Sequence, residues 1–301
     1  MKLSPVTPFV QEEFKKYENL RPIYMSEGHF LNQFLWESYY KTRFSTDELG
    51  LYLWIQTRGH HGAFAPLCSE ENLPEVFTRI EKQFHDTWNE KVNLYLADAT
   101  MIQILTDAGC LKNYTVTEDR DCFDYIYDAE KLRTLSGKAM HKKKNLLNGF
   151  LREYEGRFEY ESLTCMNIRE IEEFHQKWLD ERRIYDKYNC IDDEEEGIYR
   201  LFGNCRSIDC KIGGVRIDGE LKAYAIGSYA PDIQCAYVHI EKADVNYRGL
   251  YNYINQQFII HEFPNALLVN REDDLGQDNL RQAKLSYRPL RLEEKFTLSE
   301  Q

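Results

Sequence analysis

Two separated stretches of this 301-residue chain present the same succession of elements, which restricts the fold more than any other feature of the sequence. In the first, LYLWIQ (51–56) and GAFAPL (62–67) read as short strands. An amphipathic helix over 73–87 follows, with Leu73, Val76, Phe77, Ile80 and Phe84 on one face. Then come strand VNLYLA (92–97), a helix over 99–108 stopping at Gly109, and strands YTVTE and CFDYIYD. In the second, ELKAYAIGSYA (220–230) and IQCAYVHIEKA (233–243) read as a strand pair. A helix over 249–262 follows, with Leu250, Tyr253, Ile254, Phe258 and Ile259 in helical spacing. Strand ALLVN (266–270), a helix over 277–285 and a strand pair across RPLRLEEKFTL complete it. The shared order, β-β-α-β-α-β-β, predicts an α/β (α+β) chain of two lobes, each a mixed sheet flanked by helices. The expected boundaries are an N-terminal lobe over 1–130, a helical connector and the start of the second lobe over 131–210, and a C-terminal catalytic lobe over 211–301.

The connector holds the strongest charge feature. Residues 131–157 carry eight Lys/Arg against two Glu, a local +6, so the rest of a chain whose net charge is −12 carries −18. That balance argues against general nucleic-acid coating and for one basic island that meets one anionic group. A helix over 136–155, capped by Ser136, turns Met140, Leu147, Phe150 and Leu151 inward and Lys138, His141, Lys142, Asn145 and Arg152 outward. The acidic run DDEEE (192–196) reads as a solvated helix start. Hydrophobic residues at 43% and charged at 29% describe an ordinary globular chain. The N-terminal residues lack a secretory pattern, and no run approaches the roughly 20 apolar residues that span a bilayer, so a soluble, cytoplasmic protein is expected. Eight cysteines, at 68, 110, 122, 165, 190, 205, 210 and 235, form no C-x-x-C pair and read as reduced thiols.

Phosphate-loop, nucleophile-elbow, HExxH and zinc-finger spacings are all missing, so no metal is expected and NAD or ATP chemistry of standard type is disfavoured. Three positive signals remain. At NYRGLY (246–251) a strand pair gives way to a helix, and Arg248 with Gly249 offers a cation and close backbone approach for phosphate. In QCAYVHIEKA, alternation places Tyr237, His239 and Glu241 on one strand face, with His239 and Glu241 as candidate general base and support. Asn270, Arg271, Glu272, Asp273 and Asp274 crowd polar groups at the carboxyl end of a buried strand, where open sheets bind ligands.

LSGKAMHKKKNLLNGFL together with VNREDDLGQDNLRQAKLSYRPLRLEEKF resembles the bacterial family of the phosphatidylglycerol lysyltransferase C-terminal domain. The resemblance extends over nearly the whole chain and implies two tandem GNAT-like lobes, similar to the Fem peptidyltransferases. Members of that group move an aminoacyl residue from aminoacyl-tRNA to a lipid or cell-wall precursor. Carried onto this sequence, NYRGLY falls at the GNAT pyrophosphate turn, of which Arg248 and Gly249 remain. Glu241 falls on the strand of the general base, and Tyr287 near the general acid. Arg248, Gly249, Asn270, Arg271 and Glu272 would bind the donor, and Lys138, His141, Lys142, Lys143 and Lys144 the tRNA phosphates.

The leading expectation is an acyltransferase that moves an aminoacyl group from aminoacyl-tRNA to an amine or hydroxyl acceptor, a small molecule or lipid, with no cofactor required. Two alternatives stay open: an acyl-CoA-dependent N-acyltransferase, and a non-catalytic binding protein on the same scaffold.

Overall fold

The computed structural model describes residues 1–57, 59–183 and 190–301. In chain order the strands are β1 (Ser4–Pro5), β2 (Arg43–Thr46), β3 (Gly50–Thr57), β4 (His60–Phe64), β5 (Leu67–Cys68), β6 (Asn93–Asp98), β7 (Tyr114–Glu118) and β8 (Asp124–Asp128). They continue with β9 (Phe158–Leu163), β10 (Lys211–Ile217), β11 (Glu220–Ala230), β12 (Cys235–Ala243), β13 (Leu268–Asn270), β14 (Arg291–Glu293) and β15 (Lys295–Glu300). The helices are α1 (Gln11–Glu18), α2 (Phe30–Leu35), α3 (Glu37–Tyr40), α4 (Leu73–Lys82), α5 (Ala99–Asp107), α6 (Ala129–Thr134), α7 (His141–Glu153), α8 (Ile168–Arg183), α9 (Cys190–Asn204), α10 (Leu250–Glu262) and α11 (Asp278–Leu285). The chain forms two compact units, one of Met1–Asp124, Asp273–Gln277 and Glu293–Gln301, the other of Tyr125–Glu272 and Asp278–Leu292.

The first unit is built on a sheet of order β1-β2-β3-β4-β6-β15-β7, with β5 added beside β3. Helix α4 buries Leu73, Val76, Phe77 and Ile80, the stripe its periodicity predicts. The Asp98 carboxylate caps α5 by accepting from the Met101 N–H. GAFAPL is not one strand: Pro66 has no N–H to give a ladder, and pairing stops at Phe64 and resumes at Leu67. β4 and β6 pair in parallel through Ala63–Leu94 and Phe64–Tyr95 and then part. Leu96, in the left-handed region at φ 58°, turns β6 away at that point. The catalytic lobe was expected to be the C-terminal one alone. The first sheet parts here, but Ile23, Met25, Gly28, Ala65, Leu67 and Leu96 close round the parting and leave no cavity for a water molecule.

The second unit carries a sheet of order β14-β8-β13-β12-β11-β10-β9. Two strands lie in the sheet opposite to the one expected. CFDYIYD was assigned to the first half, yet Tyr127 of β8 pairs with Val269 of β13. KFTL was assigned to the second half, yet β15 inserts between β6 and β7. Local pattern identifies a segment as a strand; its partner is chosen by long-range fit, here by Lys295 entering an acidic cluster of the first unit. Helix α10 covers one sheet face, where Val215, Ala225, Val238, Ile254 and Phe258 share a core. Helix α7 buries Leu147 and Phe150, and the turn before it buries Met140, as expected. It begins at His141, after a short 3-10 turn over Lys138–Met140 that Gly137, not Ser136, precedes as the cap residue.

The other face lies under α8, through Phe174 and His175, against Tyr224 of β11. The acidic run at 192–196 is not merely solvated. Glu194 pairs with Lys242 of β12, and Glu195 with Arg183 of α8. Nor are all cysteines reduced: Cys165 and Cys205, 40 residues apart in sequence, are brought to 5.7 Å between Cα atoms and form a disulfide. The turn that opens α8 meets the end of α9 there, a proximity that spacing along the chain does not reveal.

His175 is fully buried. Burial first, then the Lys242 and Arg183 charges, push its pKa down from 6.5 to about 4. Between those values the unfolded chain binds a proton that the folded chain refuses. Stability is therefore full above pH 6.5 and falls as pH drops toward 4, by up to about 3 kcal/mol. His175→Gln is expected to flatten that part of the stability–pH curve, as read from urea midpoints at pH 4.5 and 7.5.

Candidate active site

In the second unit β12 and β13 pair in parallel through Cys235–Leu268, Ala236–Val269 and Tyr237–Asn270 and then separate. β13 ends at Asn270, whose fully buried side chain accepts from the Glu272 N–H at 2.6 Å and so turns the chain. Glu272 adopts φ 57° in that turn. β12 runs on to Ala243, and among the described residues no strand pairs with Val238–Ala243 on the edge it has left. The result is a wedge-shaped gap with free backbone groups along one wall.

Arg271 enters the gap. Its guanidinium carbon lies 4.9 Å from the ring centre of Tyr287 and 5.9 Å from that of Tyr127, and Nη2 donates to Glu241 Oε1 at 3.1 Å. Burial opposes the Arg271 charge, but Glu241 and the two phenols outweigh it and raise its pKa. Glu241 Oε2 accepts from Asn255 of α10 at 2.9 Å, so both of its oxygens are engaged. The Tyr287 hydroxyl accepts from Asn252 of α10 at 2.6 Å, and burial drives its pKa up, which keeps the proton on oxygen. Lys143 of α7 sits 4.2 Å from the Tyr287 ring centre, and its pKa is lowered by burial and then by Arg271.

A β-bulge sorts the strand residues differently from simple alternation. The β11–β12 register jumps from Ile226–Ile240 to Gly227–Val238, leaving His239 as the extra residue. Val238 and Glu241, three apart, consequently both face α10. His239 does not join Glu241. Its Nδ1 meets Glu272 Oε1 at 2.7 Å, its Nε2 meets Ser228 Oγ at 2.8 Å, and the Tyr237 ring lies nearly parallel to it. The expected Tyr237–His239–Glu241 face is thus split by one inserted residue.

The basic residues divide as well. A groove of about 490 Å³ is lined by Lys142, Asn145, Gly149, Arg152 and Glu153 of α7 together with Arg248, three cations against one carboxylate. Gly249 starts α10 at φ 91°, and a Cβ there would lie 2.5 Å from the Leu146 carbonyl oxygen, so glycine is what lets Arg248 approach α7. Of the five residues expected to meet phosphate, Lys142 lines this groove and Lys143 turns to Tyr287. Lys138, His141 and Lys144 are exposed on α7 or the turn before it and do not line it. The sequence reading missed Asn252, Asn255, Tyr127 and Ser228. The two asparagines had a signal: polar residues three apart on a helix whose other faces are largely apolar and buried.

Solved structures share this architecture. A conserved protein of unknown function from Bacteroides thetaiotaomicron aligns over 100% of both chains with a TM-score of 0.89 and 24% identity. L-PGS from Bacillus licheniformis aligns with a TM-score of 0.68 at 14% identity, over 99% of this chain and 93% of that one. FemX gives 0.60 at 10%, over 99% and 97%. An uncharacterised protein of Mycoplasmoides gallisepticum is 27% identical over 236 residues, 75% of this chain and 71% of that protein. The two sheets with their flanking helices are the two-lobed α/β architecture that was expected, and FemX shares that fold. Residues 19–299 match the family of the phosphatidylglycerol lysyltransferase C-terminal domain, and the chain belongs to that family.

Proposed function

We propose that this chain transfers an aminoacyl group from aminoacyl-tRNA to an amine or hydroxyl acceptor of lipid or peptide type. The observation that carries the reading is that one helix serves two places. α7 supplies Lys142 and Arg152 to the basic groove, and its Lys143 reaches Tyr287 at the parted strands. Three cations against one carboxylate around one groove, in a chain of net charge −12, suit a run of phosphates that ends at the reaction centre. The acceptor nitrogen or oxygen attacks the ester carbonyl carbon, and the bond to the ribose oxygen breaks. The acceptor's proton leaves to a base, and Tyr287 supplies one to the departing oxygen. Arg271 has one described side-chain hydrogen bond, to Glu241, which leaves other N–H groups to hold the oxyanion that develops. An ester donor needs no further cofactor for this step. Charged tRNA places the reaction in the cytoplasm, and no helix among the described residues is long and apolar enough to cross a membrane.

The test is transfer of radiolabel from a mixture of charged tRNAs to a lipid and cell-wall extract. Label is expected in an organic-soluble or peptide product. Arg152→Glu with Arg248→Glu should weaken tRNA binding and shallow its salt dependence by about one phosphate contact per residue. The absence of both label transfer and tRNA binding would refute the proposal. Acetyl-CoA raising the melting temperature instead would turn the reading to an acyl-CoA-dependent N-acyltransferase.

A further inference from the structure

The hydrogen bonds around His239 fix the direction in which a proton can move. A carboxylate accepts and does not donate, so the 2.7 Å contact with Glu272 Oε1 places the ring hydrogen on Nδ1. In the neutral ring Nε2 is then an acceptor, and the 2.8 Å contact requires Ser228 to donate its hydroxyl hydrogen to it. The His239 side chain is fully buried, whereas Ser228 is partly exposed, so an approaching molecule meets the hydroxyl and not the ring. Three different elements contribute: β11 gives Ser228, the bulge of β12 gives His239, and the turn after β13 gives Glu272. The bulge is what brings the ring to Ser228, and the Asn270 side chain holds the Glu272 backbone in the left-handed region. A carboxylate, an imidazole in the matching tautomer and a hydroxyl in line are the parts of an activated serine nucleophile.

We propose that Ser228, His239 and Glu272 form a second reactive centre, which takes the acyl group of an activated carboxylic ester onto Ser228 and releases it to water. Ser228 Oγ attacks the ester carbonyl carbon, and its proton passes to His239 Nε2. The carbon–oxygen bond to the leaving alcohol breaks, and that oxygen takes the proton from His239. A water molecule then attacks the acyl-serine, gives one proton to His239 and displaces Ser228 Oγ, which takes it back. No oxidant or metal enters, water is the co-reactant, and Glu272 keeps the ring oriented throughout. This chemistry is independent of the donor in the aminoacyl-transfer proposal, because any small activated ester tests it.

Purified chain is treated with a fluorophosphonate, and the adduct is mapped by peptide mass spectrometry; p-nitrophenyl acetate hydrolysis is followed in parallel. A single adduct on Ser228 is expected. Ser228→Ala and His239→Gln should each lower the hydrolysis rate by at least about 100-fold and Glu272→Gln by at least about 10-fold. Melting temperatures check that the variants fold, and mapping the adduct on the unaltered chain does not depend on any variant. An adduct on another residue, no adduct at all, or hydrolysis unchanged in Ser228→Ala would each overturn the inference and identify the three residues as a structural clamp. Label transfer from charged tRNA by an unaltered chain that forms no Ser228 adduct would overturn it while leaving aminoacyl transfer standing. An adduct on Ser228 without any tRNA-dependent transfer would do the reverse.

Discussion

Replacing Lys295 by methionine is expected to cost about 3–5 kcal/mol, the range for removing one partner of a buried ionic group. Lys295 has no exposed surface, and its ammonium lies 2.8 and 2.7 Å from the two Glu27 oxygens and 2.7 Å from Asp124 Oδ1. Carboxylate oxygens of Glu27, Asp124 and Asp273 lie within 4.8 Å of one another, an arrangement that would draw a cation if Lys295 did not supply one. Those acids outweigh the burial that opposes the ammonium and raise its pKa well above the ordinary lysine value. Burial, offset by Lys295 but reinforced by Asp124, pushes Glu27 up to about 7. A carboxyl raised in the folded state contributes stability that is complete below pH 4.5 and lost as pH rises through about 7. The Lys295→Met penalty should accordingly be smaller at pH 5 than at pH 8. Urea unfolding followed by circular dichroism at both pH values measures it. Adding Glu27→Gln and Asp124→Asn to Lys295→Met should recover most of the loss, since only the partly exposed Asp273 carboxylate then remains without the ammonium. An unchanged midpoint in the single variant would show that the cluster contributes nothing to the first unit.

How far the sequence carried can be judged from particular residues. The helices were legible because their stripes are local. Leu73, Val76, Phe77 and Ile80 had to share a face whatever the rest of the chain did. The gap at the C-terminal end of β13 was legible too, since Arg271 and its acidic neighbours could not sit in a closed sheet without partners. What escaped depends on contacts between residues far apart in sequence. Nothing near Lys295 announces Glu27, which lies 268 residues away, and so β15 was assigned to the wrong sheet. The bulge at His239 escaped for a different reason. Strict alternation along QCAYVHIEKA is the best local inference, and one extra residue, visible only in the register with β11, reverses it. The family blocks led to the right architecture, but they could not say that Lys143, rather than any other lysine of the basic run, reaches Tyr287.

The same bulge separates two roles that the sequence reading had joined, and kinetics should show it. If aminoacyl transfer is the reaction, Arg271→Ala is expected to lower kcat/KM about 10²–10³-fold, the effect of losing one preorganised donor at an oxyanion. Arg271→Lys should restore little of it. A lysine lacks the planar fork that lies against Tyr287 while pairing with Glu241, and it leaves fewer donors for the substrate. Glu241→Gln discriminates between the assignments for its neighbour. As general base, Glu241 would be indispensable, and its loss would match or exceed that of Arg271 and remove the acidic limb of the pH–rate profile. Both Glu241 oxygens, however, are taken by Arg271 and Asn255, which is the bonding of a residue that positions another. Glu241→Gln keeps the shape and one acceptor for Arg271, so a loss of roughly 10-fold is expected, with the pH profile retained. The double variant Glu241→Gln/Arg271→Ala should be no slower than Arg271→Ala alone, because a positioning residue has nothing left to position. Additive losses would instead return Glu241 to the chemistry itself and make Arg271 its support.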